Sequence, residues 1–165
     1  MDSQLAEAWG DFLSGYPWDW FCTLTFRGGD VQPWRRGFPR DSQLSSFRAH
    51  RMFARLMNDV QKASGLPTFW FRGDEYGPLG GRLHIHALVG NVAAERRLYW
   101  MDEWNRRAGY ARILPFEAGK GAAYYCSKYV TKQFGDWDLS DNLTAFRHYQ
   151  PVLGDPRADE GGKEK

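Results

Sequence analysis

His84-Ile85-His86 stands inside the apolar run Leu83-His84-Ile85-His86-Ala87-Leu88-Val89, which has the composition of a strand. In a strand, residues i and i+2 point to the same face, so both imidazoles project together while Ile85 packs behind them. Two neutral imidazoles held in this way can ligate a divalent metal. They can equally be half-buried strand histidines that only hydrogen-bond. A turn centred near Leu79 would set Glu75 opposite His84, on the face carrying both imidazoles, and Asp74 on the other face. A carboxylate and two histidines, with coordination positions left open, suit a divalent cation that must also hold a substrate. The alternative is that Glu75 pairs with an arginine such as Arg82.

Further along, Tyr125-Cys126-Ser127-Lys128-Tyr129-Val130-Thr131-Lys132 writes Tyr-x-x-Lys twice in tandem. On a helix Tyr125 and Tyr129 are i and i+4, so their hydroxyls share one face about one turn apart, flanked by Lys128 and Lys132. Tyr124 is turned about 100° away and is placed to pack. An aromatic pair at this spacing is commonly core. Here each tyrosine carries its own lysine, and a metal seat is available in the same small domain. A phenol is a poor nucleophile at its usual pKa of about 10. It can attack a phosphodiester when a cation polarises the phosphorus and lysines stabilise the developing charge. The combination predicts transesterification through a phosphotyrosine, not simple hydrolysis.

The elements that must position these groups are legible. A helix over 3–14 precedes the turn at Gly15-Tyr16-Pro17, and Trp20-Phe21-Cys22-Thr23-Leu24-Thr25-Phe26 alternates as a half-buried strand. Residues 27–40 read as a basic loop punctuated by Gly and Pro. A helix over 42–63, capped by Asp41 or Ser42, sets Leu44, Phe47, Leu56, Met57 and Val60 on its apolar stripe and ends at Gly65 before Pro67. Strands at 68–75 and 82–89 form a hairpin, followed by a helix over 93–108, a strand near 110–116 and a helix over 119–134. The order β-α-β-β-α-β-α predicts an α+β fold, an antiparallel sheet with helices on one face and a ferredoxin-like core. Residues 1–135 form the domain and 136–165 an extension whose end, rich in Gly and charge, is expected to be disordered.

Composition narrows the partners. The 165 residues suffice for one core, and two cysteines are too few for a secreted disulfide framework, so Cys22 and Cys126 are expected reduced and the protein cytoplasmic. No leader and no apolar run of transmembrane length is expected. Residues 133–165 hold four Lys/Arg and seven Asp/Glu of the chain's 22 and 20, which leaves a net +5 in residues 1–132. A basic, aromatic-rich body fits single-stranded nucleic acid. Trp34, Arg35, Arg36 and Arg40 in the loop suit base stacking and phosphate contact, or else form a solvated loop with Trp34 folded back. Thr23 and Thr25 either line the site or are strand formers, and Arg82 meets phosphate or pairs with Asp74.

Taken together, Glu75-Tyr76-Gly77, Gly81-Arg82, His84-Ile85-His86 and Ala87-Leu88-Val89 resemble the metal motif of HUH endonucleases. Phe21-Cys22-Thr23-Leu24-Thr25-Phe26 resembles their first motif. The tandem tyrosine helix resembles the third motif of the two-tyrosine branch, the rolling-circle replication initiators of small single-stranded DNA phages and some plasmids. The motifs span residues 21–132 in the family's order. The resemblance implies an RRM-like HUH core, Mg²⁺ or Mn²⁺ on Glu75, His84 and His86, and attack by Tyr125 or Tyr129 to leave a free 3′-OH and a 5′-phosphotyrosine. The second tyrosine would then serve strand transfer, with Lys128 and Lys132 at phosphates or activating the tyrosines. It also implies a single-stranded origin as substrate, a separate helicase, the replication machinery of a prokaryotic host, and no small-molecule cofactor. The alternatives are an HUH transposase or relaxase, or a ferredoxin-like module that grips single strands without cutting them.

Overall fold

Alternating large side chains along Trp18–Thr25 make the first strand, β1, which follows helix α1 (Ser3–Ser14). The structure is a computed structural model and describes residues 3–26, 42–76, 83–131 and 136–146. Helix α2 (Ser42–Ser64) stops at Gly65, whose φ of 68° is the left-handed cap expected there, and Pro67 bars a further turn. Strands β2 (Phe69–Tyr76) and β3 (Leu83–Gly90), helix α3 (Arg97–Arg107), strand β4 (Ala111–Pro115) and helix α4 (Ala122–Thr131) complete the expected order. A further strand, β5 (Trp137–Leu139), pairs with β2. The antiparallel sheet runs β4-β1-β3-β2-β5, and its first four strands have the ferredoxin-like order. Glu75 stands opposite His84, as the hairpin reading required, and Gly73 stands opposite His86.

Three details differ from expectation. Helices cover both faces of the sheet, not one. Phe53, Leu56, Met57 and Val60 of α2 and Trp100 and Trp104 of α3 pack with Cys22, Leu24, Ile85 and Val89, whereas Leu13 of α1 and Ala123 and Cys126 of α4 pack with Phe71 and Leu88. The sign was in the sequence: β3 is apolar at nearly every position instead of alternating, as a strand buried on both sides must be. Secondly, the sheet continues past the boundary drawn at residue 135, because Trp137 packs with Trp9 and Phe71. Thirdly, Phe47 is exposed. At 100° per residue it lies about 120° from the buried stripe of Ala49, Phe53, Leu56 and Val60, and its ring sits 5.7 Å from the Arg51 guanidinium. The side chain of Leu44 falls outside the described residues. Helix α4 begins at Ala122, not 119, because residues 118–120 wind as a 3₁₀ turn ended by Gly121 at φ 69°.

Among the described residues no helix is long and apolar enough to cross a membrane. Both cysteines are buried free thiols, and burial raises the pKa of each, that of Cys126 to about 12.

Candidate active site

Strand alternation puts Phe21, Thr23 and Thr25 of β1, Gly73 and Glu75 of β2, His84 and His86 of β3, and Arg112 and Leu114 of β4 on one face of the sheet. Helix α4 lies across the β2–β3 half of that face. Its residues 125, 128 and 129 therefore meet Glu75 and His86, whose separation in sequence is large but whose approach in space is short. The Glu75 carboxylate is the hub. Its Oε2 lies 3.1 Å from His86 Nε2 and accepts hydrogen bonds from Tyr129 Oη at 3.2 Å and, at the long limit of 3.5 Å, from Tyr125 Oη. Lys128 Nζ stands 3.5 Å from Glu75 Oε1 and 3.4 Å from the centre of the Tyr125 ring. The cation thus faces both the carboxylate and the phenol, and it can offset charge that develops on either.

The two tyrosines sit differently. Tyr129 is 0% exposed, and its ring stacks on His86 with centroids 5.1 Å apart and planes 11° apart. It reaches this depth because Gly73 beneath it has no side chain. A Cβ there would meet Tyr129 Cβ at 2.5 Å and Cγ at 2.6 Å. Tyr125 is 39% exposed and meets His86 and Phe21 edge-on. Burial, then the hydrogen bond with Tyr125, raises the pKa of Tyr129 far above that of an ordinary phenol. Burial holds His86 down to about 4 despite the nearby Glu75, and Lys128 adds to the effect. His86 is therefore neutral at neutral pH, with a nitrogen lone pair to offer.

The donor set suits a hard or borderline divalent cation: one carboxylate and two imidazoles, each with its Nδ1 held by a threonine of β1. Thr23 Oγ1 is 3.3 Å from His86 Nδ1 and Thr25 Oγ1 is 3.2 Å from His84 Nδ1. Engaging Nδ1 leaves Nε2 as the ligating nitrogen and fixes the ring, the usual support for a metal-binding histidine. Thr23 and Thr25 accordingly line the site. Glu75 and His86 are already adjacent, but His84 is not drawn into the same tight group. Among the described residues, three such donors lie within 4.8 Å of one another only at His50, Asp74 and Asp136. That trio is on the opposite face of β2. There the buried Arg72 guanidinium stands 3.2 Å from Asp74 Oδ1 and 3.0 Å from His50 Nε2, which is itself 2.7 Å from Asp74 Oδ2. The guanidinium already supplies the positive charge these aspartates require, so the cluster is an ion network tying α2 beneath β2.

The β1–β4 half of the face is left open by α4 and forms a cleft of about 560 Å³. Phe21, Thr23, Arg112 and Leu114 floor it, with Lys120 on one wall and Tyr125 and His86 at its inner end. An aromatic floor and two cations leading to a phenol match what a single strand offers, stacked bases and phosphates. Of the residues picked out from sequence, Glu75, His84, His86, Thr23, Thr25, Tyr125, Lys128 and Tyr129 share this face. Lys132, Trp34, Arg35, Arg36, Arg40 and Arg82 lie outside the described residues. Sequence reasoning missed Gly73, although a glycine inside a strand pattern is itself a signal of close approach. It also missed Arg112, whose strand position opposite Thr23 only the β1–β4 register reveals.

A family model described as replication-associated protein ORF2 matches residues 19–134. That span begins in β1 and ends just after α4, so it contains every element that builds the site. No curated protein matches the chain. Among solved structures, the N-terminal nuclease domain of minute virus of mice non-structural protein 1 is similar at 13% identity and a TM-score of 0.33, over 92% of this chain and 76% of that one. So slight a likeness assigns no role to any residue of the site.

Proposed function

The chain belongs to the replication-associated protein ORF2 family, a Rep-type HUH protein, and from that premise we propose that it nicks and rejoins single-stranded DNA by tyrosine transesterification, starting and ending rolling-circle replication. The observation that carries the reading is the convergence of a tandem tyrosine pair, a lysine and a neutral histidine on the single carboxylate of Glu75. Glu75, His84 and His86 would hold Mg²⁺ or Mn²⁺, which when bound polarises the scissile phosphate. The remaining steps fall to side chains. The cleft floored by Phe21 and Arg112 takes the strand by stacking and phosphate contact. Glu75 orients a phenol of α4 through its hydroxyl hydrogen bond, and Lys128 offsets charge as the phenolic oxygen approaches phosphorus. The oxygen–phosphorus bond forms, the bond to the 3′ oxygen breaks, and the DNA is left with a free 3′-OH and a 5′ end on tyrosine. Reversal by an incoming 3′-OH rejoins the strand.

Unwinding would come from a separate helicase alongside host replication proteins, in the cytoplasm of a prokaryotic cell. The test uses Mn²⁺ and single-stranded oligonucleotides tiling the chain's own origin region, resolved on a denaturing gel. A protein–DNA band that survives denaturation and vanishes in the Tyr125→Phe/Tyr129→Phe double variant supports the reading. Cleavage without an adduct would mean hydrolysis instead, and binding without cleavage a gripping module.

A further inference from the structure

The tandem tyrosines are equivalent in sequence but not in space. Tyr125 stands at the inner end of the open cleft with 39% of its surface exposed, whereas Tyr129 is 0% exposed and is absent from the cleft lining. Tyr129 is held by three contacts at once: its ring lies flat on His86, its hydroxyl donates to Glu75, and its Cβ and Cγ rest where Gly73 has no side chain. For Tyr129 to reach a phosphate that enters by the cleft, it would have to leave the imidazole and the carboxylate that form the metal seat. Tyr125 needs no such movement, since it already meets the cleft, His86 and Lys128.

We propose that the two tyrosines divide the work: Tyr125 is the nucleophile, and Tyr129 is a positioning residue that fixes Glu75 and His86, with Gly73 as the gap that admits it. The inference rests on the nicking reading above and assigns its roles. In the forward step Tyr125 Oη bonds to phosphorus and its proton passes to water, while the bond to the 3′ oxygen breaks with its electron pair and that oxygen takes up a proton. In the reverse step a 3′-OH displaces Tyr125 and restores the phenol. Tyr129 makes and breaks no bond to DNA in either step.

Two measurements on the full chain test this. The first maps the adduct by peptide mass spectrometry after reaction with Mn²⁺ and the origin oligonucleotides, for the wild type, Tyr125→Phe and Tyr129→Phe. The expected result is an adduct on Tyr125 in the wild type and in Tyr129→Phe, and none in Tyr125→Phe. An adduct on Tyr129 in either the wild type or Tyr125→Phe overturns the division. The second measures Mn²⁺ affinity by calorimetry in the absence of DNA. Removing the Tyr129 hydroxyl from Glu75 is expected to weaken Mn²⁺ about tenfold, as loss of a group that orients a ligand does. Unchanged affinity in Tyr129→Phe overturns the positioning role. Absence of any adduct from the wild type would instead overturn the nicking reading, and the Mn²⁺ comparison still decides what Tyr129 does.

Discussion

Replacing Gly73 with alanine probes the seat of Tyr129 with one added carbon. That carbon would stand 2.5 Å from Tyr129 Cβ, 2.6 Å from Cγ and 2.7 Å from Cδ2. Comfortable carbon–carbon contact needs about 3.5 Å, so the phenol must withdraw from the sheet by about 1 Å. The clash includes Cβ, so no rotation about the side chain relieves it, and helix α4 must shift or tilt. Overpacking of this kind costs about 1–3 kcal/mol, offset by the ~0.5–1 kcal/mol that a strand glycine loses in conformational entropy. Gly73→Ala should therefore lower stability by about 1–2 kcal/mol, read as a lower urea midpoint at unchanged slope. A 1 Å displacement at a reacting site is worth about a hundredfold in rate, so adduct formation should fall far more steeply than stability. Gly119→Ala is the control, because a Cβ there meets nothing within 4 Å. If Gly73→Ala matches Gly119→Ala in both urea midpoint and adduct rate, Tyr129 is not seated on Gly73 and the reasoning fails.

Other consequences follow from the same geometry. Thr25→Val removes the hydroxyl that holds His84 Nδ1, and Mn²⁺ binding should weaken about 10–100-fold by calorimetry with the fold retained; equal affinity would show that the contact does not orient the ring. Arg112→Ala should weaken binding of a fluorescent dT oligonucleotide and flatten its salt dependence by about 0.7 in log–log slope, while Arg106→Ala on the remote helix α3 leaves both as they are. Burial lowers the pKa of His86 from 6.5 to about 4, so in metal-free protein the unfolded chain takes up its proton first. Stability should then fall as pH drops from about 6.5 to 4, by at most about 3 kcal/mol for this group, and His86→Gln should flatten that slope in urea titrations; an unchanged slope would refute the assignment. Asp74→Asn leaves the buried Arg72 charge poorly compensated and should cost about 3–5 kcal/mol in the same assay.

The sequence by itself determined the parts whose physics is local. The two-residue period of a strand put His84 and His86 on one face, the placement of the turn put Glu75 opposite His84, and the helical period put Tyr125 and Tyr129 one turn apart. Gly65 and Pro67 ended α2 where backbone sterics require. The helix stripe failed at Phe47 because a hydrophobic residue near the right spacing was counted without its angle. The one-faced sheet failed because the unbroken apolar run of β3 was read for its histidines and not for its second buried face. Tertiary structure alone decided how the pieces meet: that α4 lies over β2 and β3 and leaves the β1–β4 half open, that Arg112 floors the cleft, and that Asp74, Arg72 and His50 close a separate network behind the site. It also decided that two tyrosines written alike are unlike, one facing the cleft and one pressed onto a glycine of another strand. Period and spacing fix directions within an element. Burial and access depend on which other element arrives above it, and that is set by long-range packing that no local pattern encodes.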